Sequence, residues 1–161
     1  MIRFEKAKIE DAKGLALVSW RAFDNDIHYG ASGKGGPPGY KSQKWQSKMM
    51  RVGKYYKILD DYRIIGGIIV FDKGRGHYNL GRIFLDPDYQ NQGIGAQAMT
   101  FIEKTFPQAE RWTLDTPRWN KRTQHFYEKM GYVKIGAQGP GLILYGKIIR
   151  GQSTGEQKCD Q

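Results

Sequence analysis

Cysteine is almost missing: the 161 residues hold one, Cys159, third from the end. A single thiol excludes a disulfide framework and a cysteine-ligated metal centre within one chain, and no metal is expected. Long apolar runs are missing too. The longest, Ile64 to Phe71, falls far short of the roughly 18 residues a membrane-spanning helix needs, so no membrane partner is expected. The opening Met1-Ile-Arg-Phe-Glu-Lys6 has no apolar signal stretch, and a cytoplasmic location is the expectation. Acids are scarce: 16 Asp plus Glu stand against 26 Lys plus Arg, a formal charge of +10. Aromatic residues (13%) and hydrophobic residues (39%) are not scarce, which excludes a solvating, disordered chain and fits one folded domain. Residues 1–149 read as that domain. Residues 150–161, nearly without apolar groups and balanced in charge, read as a disordered tail.

The surplus positive charge therefore belongs to the folded part. Its densest block is Lys41, Lys44, Lys48, Arg51, Lys54 and Lys57, with no acid between them. The first four recur at helical spacing, while Trp45, Met49 and Val52 recur on another face, so residues 41–52 read as a basic amphipathic helix. A solvated helix face and a site for an anionic ligand both fit. No RNP-like, KH-like or zinc-finger pattern accompanies it, which speaks against a nucleic-acid partner.

The remaining periodicities give an order β-α-α-β-β-β-α-β-α-β-β. Strands are expected at Ile2–Lys6, Tyr55–Leu59, Arg63–Phe71, Tyr78–Leu85, Trp112–Leu114, Tyr132–Ile135 and Leu142–Ile149. Helices are expected from Ile9 to about His28, over the basic block, from Gly93 to Phe106, and from Asn120 to Lys129. Between the first two helices, residues 30–39 carry glycine and proline and read as a mobile loop. The loop lacks the G-x-x-x-x-G-K-[ST] order and no strand precedes it, so a phosphate-binding P-loop is excluded.

The chemistry-bearing stretch is Ile83-Phe-Leu-Asp-Pro-Asp-Tyr-Gln-Asn-Gln-Gly-Ile-Gly-Ala96, where a strand ends, a turn follows and glycines open a helix. Free N–H groups at a helix start, unshielded by side chains, make an anion cradle. Nothing acidic lies between Tyr89 and Ile102 to oppose it. Gly93-Ile-Gly-Ala-Gln-Ala98 formally matches a dinucleotide fingerprint, with Asp115 about twenty residues on. Yet seven residues, Asp86 to Gln92, separate strand from first glycine, and too few residues follow for repeated parallel β-α units.

Gln90-Asn-Gln-Gly-Ile-Gly95 resembles the Q/R-x-x-G-x-G/A signature of the GNAT-type N-acetyltransferases, in its usual place after a strand ending in x-Pro. Asn120-x-x-Thr-x-x-Phe-Tyr-Glu-Lys-Met-Gly-Tyr132 resembles that family's N-x-x-A-x-x-F-Y-E-K-x-G-F segment, at the family's spacing.

The resemblance implies a mixed α/β (α+β) fold: a splayed, mostly antiparallel sheet of about seven strands flanked by about four helices. It implies acetyl-CoA as co-substrate, wedged where two central strands part. Backbone groups of Phe84 and Leu85 would pair with the pantetheine arm. The loop residues Gln90, Asn91, Gln92, Gly93, Ile94, Gly95 and Ala96 would hold the pyrophosphate through their N–H groups, and Asn120 would contact the cofactor besides capping its helix. Tyr127 matches the family tyrosine that acts as general acid toward the leaving sulfur.

No Glu stands on the fourth strand, where many family members carry a base, so His77 and Asp115 remain as base candidates. The acceptor would be a small-molecule or peptide amine, roofed by residues 24–51, with Asp24 and Asp26 placed to bind a cationic amine. The basic helix points instead to an acceptor carrying a carboxylate or phosphate. A homodimer is the assembly the resemblance suggests. Two other readings stay open: a non-catalytic CoA-binding sensor or scaffold, and a basic nucleic-acid-associated protein.

Overall fold

The structure, a computed structural model, describes residues 1–149; the tail expected over 150–161 lies outside the described residues. Seven strands form one sheet in the order β1-β2-β3-β4-β5-β7-β6. They are β1 (Ile2–Lys6), β2 (Lys54–Asp60), β3 (Arg63–Gly74), β4 (His77–Leu85), β5 (Arg111–Pro117), β6 (Val133–Gln138) and β7 (Leu142–Ile148). Four helices flank the sheet: α1 (Ala12–Asp24), α2 (Gln43–Val52), α3 (Ile94–Thr105) and α4 (Lys121–Lys129). All strand pairs are antiparallel except β4 with β5. The expected fold class is the one found.

The central strand β3 is a nearly continuous apolar run because both of its faces are covered. On one face Ile68 and Val70 join Ile94, Ala98 and Ile102 of α3 and Tyr127 of α4 in the larger core. On the other, Ile69 packs with Leu15, Val18 and Ala22 of α1, with Tyr55 and Phe84, and with Trp45 and Met49 of α2 at the margin. The sheet thus separates an α3/α4 side from an α1/α2 side.

The long helix expected from Ile9 to His28 is three pieces: a 3₁₀ turn at Ile9–Asp11, α1, and a second 3₁₀ turn at Asn25–Tyr29 that ends on Gly30 at φ 112°. In α2, capped by the Ser42 hydroxyl, Val52 is 57% exposed, while Gln46 is the residue wholly buried. The apolar ridge expected through Trp45, Met49 and Val52 is therefore turned by one position at its centre. Its lysines point to solvent. The loop over 30–39 is tied down at its far end: Tyr40 donates to Asp24 (2.8 Å), and Arg82 donates to the Pro38 carbonyl (3.1 Å).

The feature that positions a site is the parting of β4 and β5. They pair only at His77↔Arg111, Tyr78↔Trp112 and Asn79↔Thr113. Beyond that apex β4 runs on to Leu85 beside β3, and β5 runs on to Pro117 beside β7, with no ladder between them. Just past the apex β4 carries a bulge. Ile69 faces Arg82 and Val70 faces Leu80, so Gly81 is the extra residue. A side chain there would begin 2.4 Å from the Phe71 ring, so any residue but glycine would have to displace that ring. A bulge adds twist and bends its strand, which suits a strand leaving its neighbour.

Candidate active site

Of the residues singled out in the sequence, His77, Phe84 and Leu85 lie on β4 and Asp115 on β5, the two strands that part. On the α3/α4 side, α3 begins at Gly93, φ 81°, with no side chain capping its N-terminus and no acid in its first turn. A Cβ at Gly93 would meet nothing within 4 Å, so the backbone here opens onto free space. Asn91 also takes a left-handed backbone (φ 62°), turning the loop so that the start of α3 is uncovered. Gly95 serves differently: its Cβ position lies 3.2 Å from the Phe126 ring, so its smallness lets α4 approach α3.

Two residues that sequence reasoning left aside hold this loop. Arg122 donates to the Gln90 side-chain carbonyl (2.9 Å), reaches Asp26 (3.4 Å) and lies 3.6 Å over the Tyr29 ring. Gln90 in turn donates to the Leu85 carbonyl (3.0 Å), so one acceptor position of Leu85 is already used. Asp86 is buried (1% exposed), accepts from the Asp88 N–H and pairs with Arg21 at 2.7 Å, which fixes the strand-to-loop turn. The Arg122 and Arg21 contacts span 96 and 65 residues, and no local pattern signals them.

Asn120 caps α4, its side-chain oxygen accepting from Thr123 N–H (3.1 Å), and is 3% exposed. Tyr127, on α4, is buried against Tyr132 and Tyr145. Burial, with Asp115 adding to it, pushes its phenol well above the ordinary value, so the group stays protonated. Asp115 lies inside β5 rather than past its end. Trp112 and Leu114 belong to the α3/α4 core, so the alternation of the strand sends Thr113 and Asp115 to the α1/α2 side. Asp115 is exposed to solvent, and partial desolvation raises its carboxyl pKa above the ordinary value.

His77 sits at the apex with both ring nitrogens engaged: Nε2 lies 2.7 Å from the Thr113 hydroxyl and Nδ1 3.3 Å from the Arg111 guanidinium. Burial first, then Arg111 and Lys73, lowers its pKa. Nδ1 therefore accepts from Arg111 and Nε2 donates to Thr113, which leaves no free lone pair. Asn79 donates to the same Thr113 hydroxyl (3.1 Å) and closes the apex. Asp24 accepts from Trp20 (3.0 Å) and Tyr40 (2.8 Å), and Asp26 is paired with Arg122, its pKa raised chiefly by desolvation. Both acids tie the roof together. An open depression of about 360 Å³ is lined by Trp20, Arg21, Asp24, His28, Lys34 and Pro87 among others, so it takes in Asp24 but not the facing edges of β4 and β5. No cluster of ligating side chains able to hold a metal occurs among the described residues.

A parted pair of central strands, an uncapped helix start beside it, a buried protonated phenol and a carboxylate at the gap together suit a ligand that is anionic at one end and reactive at the other. The family model described as Acetyltransferase (GNAT) family matches residues 19–132. A curated relative from Bacillus subtilis (strain 168), the uncharacterized protein YrkN, is 35% identical over 79 residues, 48% of this chain and 43% of that protein. This match spans less than half of that relative's length. Among solved structures, PaiA N-acetyltransferase from Thermoplasma acidophilum in complex with coenzyme A superposes with a TM-score of 0.80 at 19% identity, covering 92% of this chain and 99% of that one. The ribosomal-protein-S18-alanine N-acetyltransferase from Escherichia coli gives 0.72 at 16% identity, covering 92% and 94%. At such identities the likeness is one of fold.

Proposed function

The chain belongs to the GNAT acetyltransferase family, and from that premise we propose that it moves an acetyl group from acetyl-CoA directly to a primary amine bound beside it. The observation that carries this reading is the β4–β5 gap opening beside an uncapped α3 start. The first-turn N–H groups of α3 and those of Asn91 to Gly93 would hold the pyrophosphate, the Gln90 N–H being engaged by the Pro87 carbonyl (3.3 Å). Gly93, with empty space where a Cβ would stand, lets the phosphates close on the backbone. The unladdered edge of β4 from Gly81 to Phe84, with part of Leu85, would pair with the pantetheine amides. Acetyl-CoA supplies an activated thioester.

Asp115 takes the amine's proton as the N–C bond forms; its raised pKa makes it a better base than an ordinary carboxylate. His77, with both nitrogens spent, orients the apex. Tyr127 donates its O–H toward the sulfur as the C–S bond breaks. With its pKa pushed up by burial, its part is a strong oriented hydrogen bond to the leaving thiolate, whose free pKa is ~8.5. Asn120 holds the start of α4, and with it Tyr127, in place. Residues 1–149 act as the catalytic unit.

The test is a thermal-shift titration with acetyl-CoA, CoA, NAD and a short DNA duplex, followed by thiol release against an amine panel. A rise with acetyl-CoA and CoA alone, equivalent to ~2.7 kcal/mol at a hundredfold excess over Kd, is expected. No rise with either refutes the cradle. CoA binding without turnover of any amine would leave a CoA sensor.

A further inference from the structure

Burial without a partner is rare for polar groups and calls for a reason. Two such groups lie on the α1/α2 side of the sheet, both beside Tyr55: Nη1 of Arg82 and Nε2 of Gln46. Arg82 lies three residues beyond Asn79, the last β4 residue laddered to β5. It shares the sheet face of Phe84, opposite α3. Its guanidinium stacks 4.0 Å over the Trp45 ring, and Nη2 donates to Pro38. No acid among the described residues pairs with it. Desolvation, offset in part by Tyr55, lowers its pKa to about 10. Gln46 follows Trp45 in α2. Its side-chain carbonyl accepts from the Tyr55 hydroxyl, which leaves the amide N–H groups with nothing. Tyr55 is itself close enough to Arg82 to interact electrostatically.

Both leftover groups are donors, so neither can satisfy the other. A ligand with acceptors only, a carboxylate above all, satisfies both, and guanidinium–carboxylate bonds are among the strongest a side chain forms. Asp115 faces the same side from the other edge of the gap. One cation and one anion thus flank the opening, as a zwitterionic amine requires.

We infer that the acceptor is an amino acid, whose carboxylate is bound by Arg82 and Gln46 while its amine lies at Asp115. This rests on the acetyltransferase reading for the reaction, though not for the binding. The segment over 30–39 covers Arg82 through Pro38 and must move aside for entry. Arg82 and Gln46 are specificity residues that touch the acceptor away from the reacting atoms.

The experiment presents the twenty proteinogenic amino acids, each beside its C-terminal amide, to the full chain. Thiol release from acetyl-CoA and the melting temperature with and without CoA are recorded. At least one acid should exceed its amide in kcat/KM by about tenfold or more, the size of one charge-assisted hydrogen bond, with the difference in KM. Arg82→Gln should bring the acid-to-amide ratio to near one, and Arg82→Lys should restore part of it.

Amides equal to acids across the panel overturn the inference, as does an Arg82→Gln loss equal for both; so does a panel that neither turns over nor stabilises the protein. The wild-type comparison needs no variant to fold. Stabilisation by an acid but not its amide, without any shift from CoA or acetyl-CoA, would keep the anion site and sink the transferase reading. The reverse pattern would do the opposite.

Discussion

Replacing Gly93 by Asp should leave the fold nearly untouched and cripple CoA binding, because one carboxylate meets opposite demands in the two states. Gly93 stands at φ 81°, and a side chain there clashes with nothing. The left-handed backbone costs an ordinary residue ~1–2 kcal/mol, but Asp is among the few that visit it readily. Against that cost, an acid at a helix start gains ~0.3–1 kcal/mol from the exposed N–H dipoles. The two nearly cancel. The unliganded melting temperature should stay within about 2–4 °C of wild type, the shift that ~1 kcal/mol produces in a chain of this size.

For the pyrophosphate the same carboxylate occupies the donors and adds repulsion. One pair of like charges ~4 Å apart costs ~1 kcal/mol at the dielectric of water and ~4 kcal/mol at an effective value near 20. The dissociation constant of CoA should therefore rise between about fivefold and about a thousandfold. Calorimetric titration of CoA into wild type and the Gly93→Asp variant measures this. Gly93→Asn, neutral and equally tolerant of the backbone, isolates the charge. Unchanged CoA affinity in a well-folded Gly93→Asp protein would refute the anion cradle. Equal losses for Asp and Asn would refute the electrostatic account of it.

Tyr127→Phe keeps the ring that packs on Tyr132 and Tyr145, so CoA affinity should hold while kcat falls at least about tenfold; equal turnover would remove the hydroxyl from the mechanism. Asp115 has a raised pKa, so the folded state binds its proton more tightly than the unfolded chain; that stabilisation is full below pH ~4 and vanishes as pH rises through the raised value. Asp115→Asn should accordingly be at least as stable as wild type at pH 8, with the advantage shrinking as pH falls through the raised value and gone below pH ~4, and should turn over slowly at every pH. A variant less stable at pH 8 would contradict the desolvated carboxyl. Arg21→Ala strips the 2.7 Å partner from an Asp86 that is 1% exposed, leaving Arg63 at 4.0 Å. A loss of about 2 kcal/mol, seen as a fall of about 4–8 °C in Tm, is expected.

The order of elements and the start of α3 were legible in the sequence because they rest on local physics. Strand alternation, Gly93 opening a helix, Asn120 capping the next and Pro107 after Thr105 each act within one or two turns of chain. That Gln90 to Ala96, Asn120 and Tyr127 belong to one site is implied only by the resemblance of two short motifs, not by local physics.

Tertiary structure decided whatever depends on pairing across distance. The gap exists because β3 and β7 hold β4 and β5 on their outer edges while the bulge at Gly81 bends β4 away, and no periodicity in either strand encodes that. Both ring nitrogens of His77 are engaged only because Thr113 and Arg111 arrive from β5. Asp24 and Asp26, expected from the sequence to bind a cationic amine, are drawn into bonds with Tyr40 and Arg122. Nothing in the local sequence marks Arg82; the fold lays Trp45 against it and buries one of its nitrogens. Burial and long-range contact set what a charge can do, and both arise only when the chain closes on itself.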